Sequence, residues 1–136
     1  MERSVTLSLA TSSPSRGRSV ASWTIRVLLT AVFLAAGAAK LAGLPMMVGI
    51  FAQIGLGQGF RLVTGLVEVA GALVLLVPGM TVLAALWLAA TMCCAVLAHL
   101  LVLPGSALPA IVLLVLCLAL AWLQRADIPT LRTRLA

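Results

Sequence analysis

Residues 60–79 read FRLVTGLVEVAGALVLLVPG, and this stretch decides the fold. From Phe60 to Pro78 it is apolar apart from Arg61, Thr64 and Glu68. Its length is close to the ~17–25 residues that a helix needs to cross a bilayer at ~1.5 Å per residue. Pro78-Gly79 ends it with a turn-forming pair. Arg61, Gly65, Glu68 and Ala72 recur at helical spacing and so share one face. That face is small and polar, suited to point into a bundle with another helix close by. Glu68 lies about 10 Å inward from Arg61 along a helix, too deep for its short side chain to reach water. It must be neutral, paired with a cation or facing a wet cavity. An ion pair that fixes helix register and a residue of a functional site are both open readings.

Three further apolar stretches frame this one: residues 23–44, 81–103 and 108–123. Pro104-Gly105 separates the last two, and Pro109 falls in the first turn of the fourth, where its missing N–H costs nothing. Across the 136 residues 63% are hydrophobic, 9% are charged and mean hydropathy is +1.24. Soluble domains are about a quarter charged, so polar surface is too scarce here to cover a water-facing fold. Paired acids, His/Cys clusters and glycine-rich phosphate loops are missing from the sequence. The net charge of +6 comes from basic residues mostly outside the apolar runs, with no base-reading module among them, so nucleic acid is not an expected partner. The expected fold is an all-α, integral membrane, antiparallel four-helix bundle.

Between the first and second spans, Met47, Ile50, Phe51 and Ile54 recur at helical spacing. This predicts a short interfacial helix followed by a flexible Gly55–Gly59 hinge; an ordinary long loop is the alternative. Residues 1–21 are expected to be a disordered basic cytosolic arm, and residues 124–136 a basic cytosolic tail. Arg3, Arg16, Arg18 and Arg26 precede or open the first span, and Arg125, Arg132 and Arg134 follow the last. Only Lys40 and Arg61 lie towards the other side. Positive-inside then places both termini in the cytoplasm, with Trp23 and Trp122 in the inner aromatic belt. A competing reading takes the basic stretch ending at Arg26, the apolar run after it and Ala36-Gly37-Ala38 as a cleavable signal peptide.

Ionisable residues within spans are rare and expensive, so each is a candidate. Arg26 and Lys40 are separated by ~21 Å of helix, so each starts close to its own membrane boundary. For Arg26, snorkelling of the stem is a sufficient account; for Lys40, snorkelling and a place in a site stand level. His99, the only histidine, falls near the outer end of the third span. Lys40, Arg61, Glu68 and His99 thus converge from three helices in the outer half of the bundle. Glu68 and His99 are the candidate catalytic groups, with Lys40 and Arg61 as candidate binding groups. Cys93, Cys94 and Cys117 form no C-x-x-C pair and read as small packing residues. The Ala90, Cys94, Ala98 spacing suits a close helix contact, and no metal site is expected.

The order of these features is similar to a known family. An Arg26-opened first helix runs through Phe33 into Ala36-Gly37-Ala38-Ala39-Lys40-Leu41. An interfacial stretch with Phe51 and Ile54-Gly55-Leu56 follows. Thr64-Gly65, Glu68 and Gly71-Ala72 lie on the second span, and Ala98-His99 on the third. The pattern resembles the DoxX family of small four-helix membrane proteins, in its DoxX-like branch, over about residues 22–122. The resemblance implies a link to membrane redox chemistry: some relatives are subunits of a thiosulfate:quinone oxidoreductase or associate with detoxification proteins. It also implies that Lys40, Glu68 and His99 form the family's polar core. Without a dithiol, electrons would have to be carried by quinone or by a partner subunit. The amino-terminal arm lies outside the family pattern.

Three functions remain in view. The first is a redox-associated subunit that binds a quinone-like lipid, with Glu68 and His99 handling protons and Lys40 or Arg61 steadying a developing anion. The second is a membrane-embedded acid–base enzyme of isomerase or hydrolase type acting on a lipophilic substrate, with Glu68 as base. The third is a non-catalytic scaffold or assembly factor whose ion pair only holds the bundle together.

Overall fold

The computed structural model describes residues 16–136. Of the expected amino-terminal arm, residues 1–15 lie outside the described residues. The chain is all-α. Helices α1 (Arg16–Ala42), α2 (Pro45–Ile54), α3 (Gln58–Leu75), α4 (Thr81–Leu101) and α5 (Leu108–Leu123) are followed by a 3₁₀ turn (Arg125–Asp127) and α6 (Ile128–Leu135). The helices α1, α3 and α4 are long and apolar enough to cross a membrane. At 16 residues α5 is shorter, about 24 Å at ~1.5 Å per residue.

Helices α1, α3, α4 and α5 close a ring: α1 packs on α3, α3 on α4, α4 on α5 and α5 back on α1. The core of the ring is apolar, centred on Leu29, Phe33, Leu75, Leu88 and Leu120, all buried. Large apolar side chains such as Leu66, Leu97, Leu101 and Val115 point outward. A soluble bundle carries charges on that face; here it is a surface matched to acyl chains.

The four spans fall where the sequence places them, with one shift of consequence. Helix α1 already includes Arg16, upstream of Trp23, so residues 16–21, expected to belong to a disordered arm, are helical. The reason is tertiary. Arg18 Nη2 donates to the Leu123 carbonyl at 2.7 Å, and Gln124 Nε2 donates to Ser22 Oγ, so the end of α5 holds the first turns of α1. These bonds also place both helix ends on the same side of the bundle. The segment after α5 is likewise helical over Ile128–Leu135, not merely a basic tail.

The expected interfacial helix is present as α2. Pro45 opens it with a preset φ and no lost hydrogen bond. Gly55 closes it at φ 80°, and Gly57 stands before α3 at φ 83°. Both are left-handed conformations in which a Cβ would be strained. The two glycines fold the chain from α2 sharply back into α3, and the Phe51 and Phe60 rings pack across that corner at 5.8 Å and 56°.

Candidate functional site

The site begins with a close helix crossing. A Cβ on Gly37 would lie 2.7 Å from Val69 Cγ2 and 2.9 Å from the Gly65 carbonyl oxygen. A Cβ on Gly65 would meet the Gly37 oxygen, Lys40 Cβ and Leu41 Cγ, each at 3.1 Å. Only glycine lets the two backbones approach this far. One helical turn past each glycine stand Lys40 and Glu68, and the crossing brings them together: Nζ lies 2.7 Å from Oε2. The Glu68 side chain is 2% exposed and that of Lys40 12%. Of the possible fates of a carboxyl at this depth, the structure gives Glu68 a cation as partner.

A second layer of polar contacts holds the lysine. Arg61 Nη1 donates to the Lys40 carbonyl oxygen. Arg61 Nε donates to Gln58 Oε1 at 2.7 Å, and Gln58 Nε2 donates to the Val48 carbonyl at 3.1 Å. The chain Val48–Gln58–Arg61–Lys40–Glu68 therefore ties α2, α3 and α1 into one network. The guanidinium also lies against Gly43, whose φ of 68° is a backbone conformation that favours glycine. Gln58 escaped the sequence reading. Its spacing of one turn from Arg61 was a signal, but not one that separates it from any exposed glutamine.

Lys40 and Glu68 lie on the wall of a half-open cavity of about 950 Å³ between α2, α3 and α4. The α2 stripe Met47, Ile50, Phe51 and Ile54 forms one wall. Residues Phe60, Val63, Thr64 and Val67 of α3 face Trp87, Thr91, Ala95 and His99 of α4. The two threonine hydroxyls are engaged by their own helices, Thr64 with the Phe60 carbonyl and Thr91 with that of Trp87. Against this largely apolar lining stand Lys40, Glu68 and His99, together with the thiol of Cys94. The His99 Nδ1 atom lies 2.9 Å from the Ala95 carbonyl. A carbonyl only accepts, so Nδ1 carries the proton, and in the neutral ring Nε2 is an acceptor. Of the four candidate site residues, Lys40, Glu68 and His99 thus share one cavity. Arg61 is buried beside it and touches Lys40 rather than the cavity.

Two sequence expectations need correction. Arg26 does not snorkel to the boundary. It is 5% exposed, with Nε 2.5 Å from the Leu75 carbonyl and its guanidinium 4.5 Å from the centre of the Trp23 ring. The last carbonyls of α3 lack helical partners, and an arginine from α1 supplies one at the end of the bundle away from the cavity. The buried face Ser22, Arg26, Thr30, Phe33, Gly37 at helical spacing was the readable signal. The Ala90, Cys94, Ala98 stripe, expected to seat a neighbouring helix, lines the cavity instead. Cys94 is exposed, as is Cys93, and only Cys117 is packed in the core.

No curated protein and no solved structure matches this chain. A family model does match, that of the DoxX-like family, over residues 24–123. The match spans α1 from Thr24 onward and all of α2, α3, α4 and α5, and so contains Lys40, Glu68 and His99. The chain is a multi-pass membrane protein that belongs to the DoxX-like family.

Proposed function

We propose that the protein is a redox-associated membrane subunit that binds a quinone-like lipophilic molecule in the α2–α3–α4 cavity. The observation that carries this reading is the distribution of polarity: Lys40, Glu68 and His99 interrupt the wall of a largely apolar cavity of about 950 Å³. Such a wall suits a molecule with a compact hydrogen-bonding head and a hydrocarbon body. When bound, a quinone accepts two electrons and two protons, the electrons coming from a partner subunit. The Lys40 ammonium donates to a head-group oxygen and steadies negative charge that develops there. His99 is placed to pass protons through Nε2, and Glu68 to exchange a proton with the head group or with Lys40. Arg61 is a positioning residue in this scheme, since it reaches the head group only through the Lys40 backbone.

The excess of arginine at the shared end of α1 and α5 supports cytoplasmic termini. The cavity then opens in the outer half of the bilayer. The full chain in lipid nanodiscs, titrated with a tritiated short-tailed 1,4-benzoquinone, tests the reading. Saturable binding that Lys40→Met and Glu68→Gln each weaken at least about tenfold is the expected result. Wild-type protein that takes up no more probe than empty nanodiscs would overturn it.

A further inference from the structure

We propose that Trp87 sets the length of hydrocarbon tail the protein accepts, by closing the inner end of the cavity between α3 and α4. The inference rests on the preceding reading, in which the head group lies against Lys40, Glu68 and His99. A second, smaller cavity of about 150 Å³ lies further along the same seam, against Ala70, Gly71 and Val74 of α3 and Met80 and Ala84 at the start of α4. Leu83 and Trp87 line both cavities. The two cavities therefore adjoin at these two side chains, of which the indole is the larger. Trp87 is half exposed, so it is not one of the residues that hold the core together.

The dimensions give this junction a consequence. Along α4, Trp87 lies about 18 Å from His99, at ~1.5 Å per residue. Beyond it the small cavity reaches as far as Met80, about another 10 Å. A tail that starts at the His99 level therefore meets the indole after crossing more than half of the ~30 Å hydrocarbon layer. Every residue lining the small cavity is apolar, so hydrocarbon would be accepted there if the way were open. In a membrane the competing solvent for a tail is itself hydrocarbon. Tail length is then selected only by contact with the walls: methylenes that reach Trp87 gain packing, and those beyond it are turned out into lipid.

The experiment uses the full chain in nanodiscs and a series of 1,4-benzoquinones that each carry one linear alkyl tail of graded length, competed against the tritiated short-tailed probe. Wild type is expected to bind more tightly as the tail grows and then to lose affinity beyond one length. Trp87→Ala should move that optimum to longer tails, each tail's affinity being read relative to the same variant's affinity for the short-tailed probe. Ala70→Phe, which fills the small cavity from its rim, should leave the wild-type optimum in place and cancel the shift when combined with Trp87→Ala. Equal weakening of all tails by Trp87→Ala, an unmoved optimum in that variant, or a shortened optimum in Ala70→Phe alone would overturn the assignment while leaving the head-group site standing. A wild-type protein that binds no member of the series overturns both.

Discussion

Lys40 and Glu68 meet because Gly37 and Gly65 lie one turn before them on crossing helices. The Lys40 Nζ and Glu68 Oε2 atoms stand 2.7 Å apart, with the Glu68 side chain buried and that of Lys40 nearly so. Desolvation of a buried pair offsets much of its Coulombic gain, so the pair is weak evidence for stability while the loss of one member is expensive. Lys40→Met alone is therefore expected to destabilise the fold by about 3–5 kcal/mol. Lys40→Leu combined with Glu68→Leu should recover most of that loss and still bind no quinone. Denaturant unfolding in micelles measures the first quantity and nanodisc titration the second. A double variant that binds as well as wild type would reduce the pair to a helix clamp and favour the scaffold reading.

The glycine crossing gives a second expectation. A methyl group at Gly37 would be driven into the Gly65 carbonyl, which belongs to backbone and cannot swing away. Gly37→Ala should cost about 1–3 kcal/mol, the range for overpacking a filled contact. The same change at Gly55 meets no neighbour but places a Cβ at φ 80°, a cost of order 1 kcal/mol. Thermal unfolding of the two variants should rank Gly37→Ala as the less stable. The Gly37 variant should also lose quinone affinity, because it carries Lys40 away from Glu68.

Which features were readable in advance follows from where their causes lie. The α2 stripe of Met47, Ile50, Phe51 and Ile54 is set by local spacing, and all four side chains face the cavity. The bounds of α5 match the apolar run because Pro109 and the polar Gln124 frame it in the sequence itself. The need for a partner at Glu68 is also local, since hydrocarbon leaves a carboxyl few options. The role of Arg26 was not readable from its distance to the boundary, because the carbonyl it serves, that of Leu75, belongs to another helix. The helical conformation of residues 16–21 depends in the same way on Leu123 and Gln124. A stripe of small residues such as Ala90, Cys94 and Ala98 looks the same whether a helix or an empty groove lies against it.

Arg26 yields a prediction that separates the two ends of the bundle. Its Nε bond to the Leu75 carbonyl is charge-assisted and buried, and Thr81 Oγ1 approaches the same carbonyl at 3.4 Å. Arg26→Leu should destabilise by about 1.5–3 kcal/mol, and quinone binding measured below the unfolding transition should be unchanged. Equal losses of stability and binding would mean that the C-terminal end of α3 is mechanically coupled to the Glu68 level, about 10 Å away along the helix.

Orientation is the last expectation. The Arg18 to Leu123 bond fixes the first described turn of α1 and the end of α5 on one side of the bundle, so labelling one of them reports both. Positive-inside assigns that side to the cytoplasm. The turn at Pro104-Gly105 joins α4 to α5 at the opposite end. In a background where Cys93, Cys94 and Cys117 are replaced by alanine, a single cysteine at Ser106 should react with a membrane-impermeant maleimide in intact cells. One at Arg132 should react only after the membrane is opened. The reverse pattern would invert the bundle, put the mouth of the cavity at the cytoplasmic leaflet, and require any electron-donating partner to act from that side.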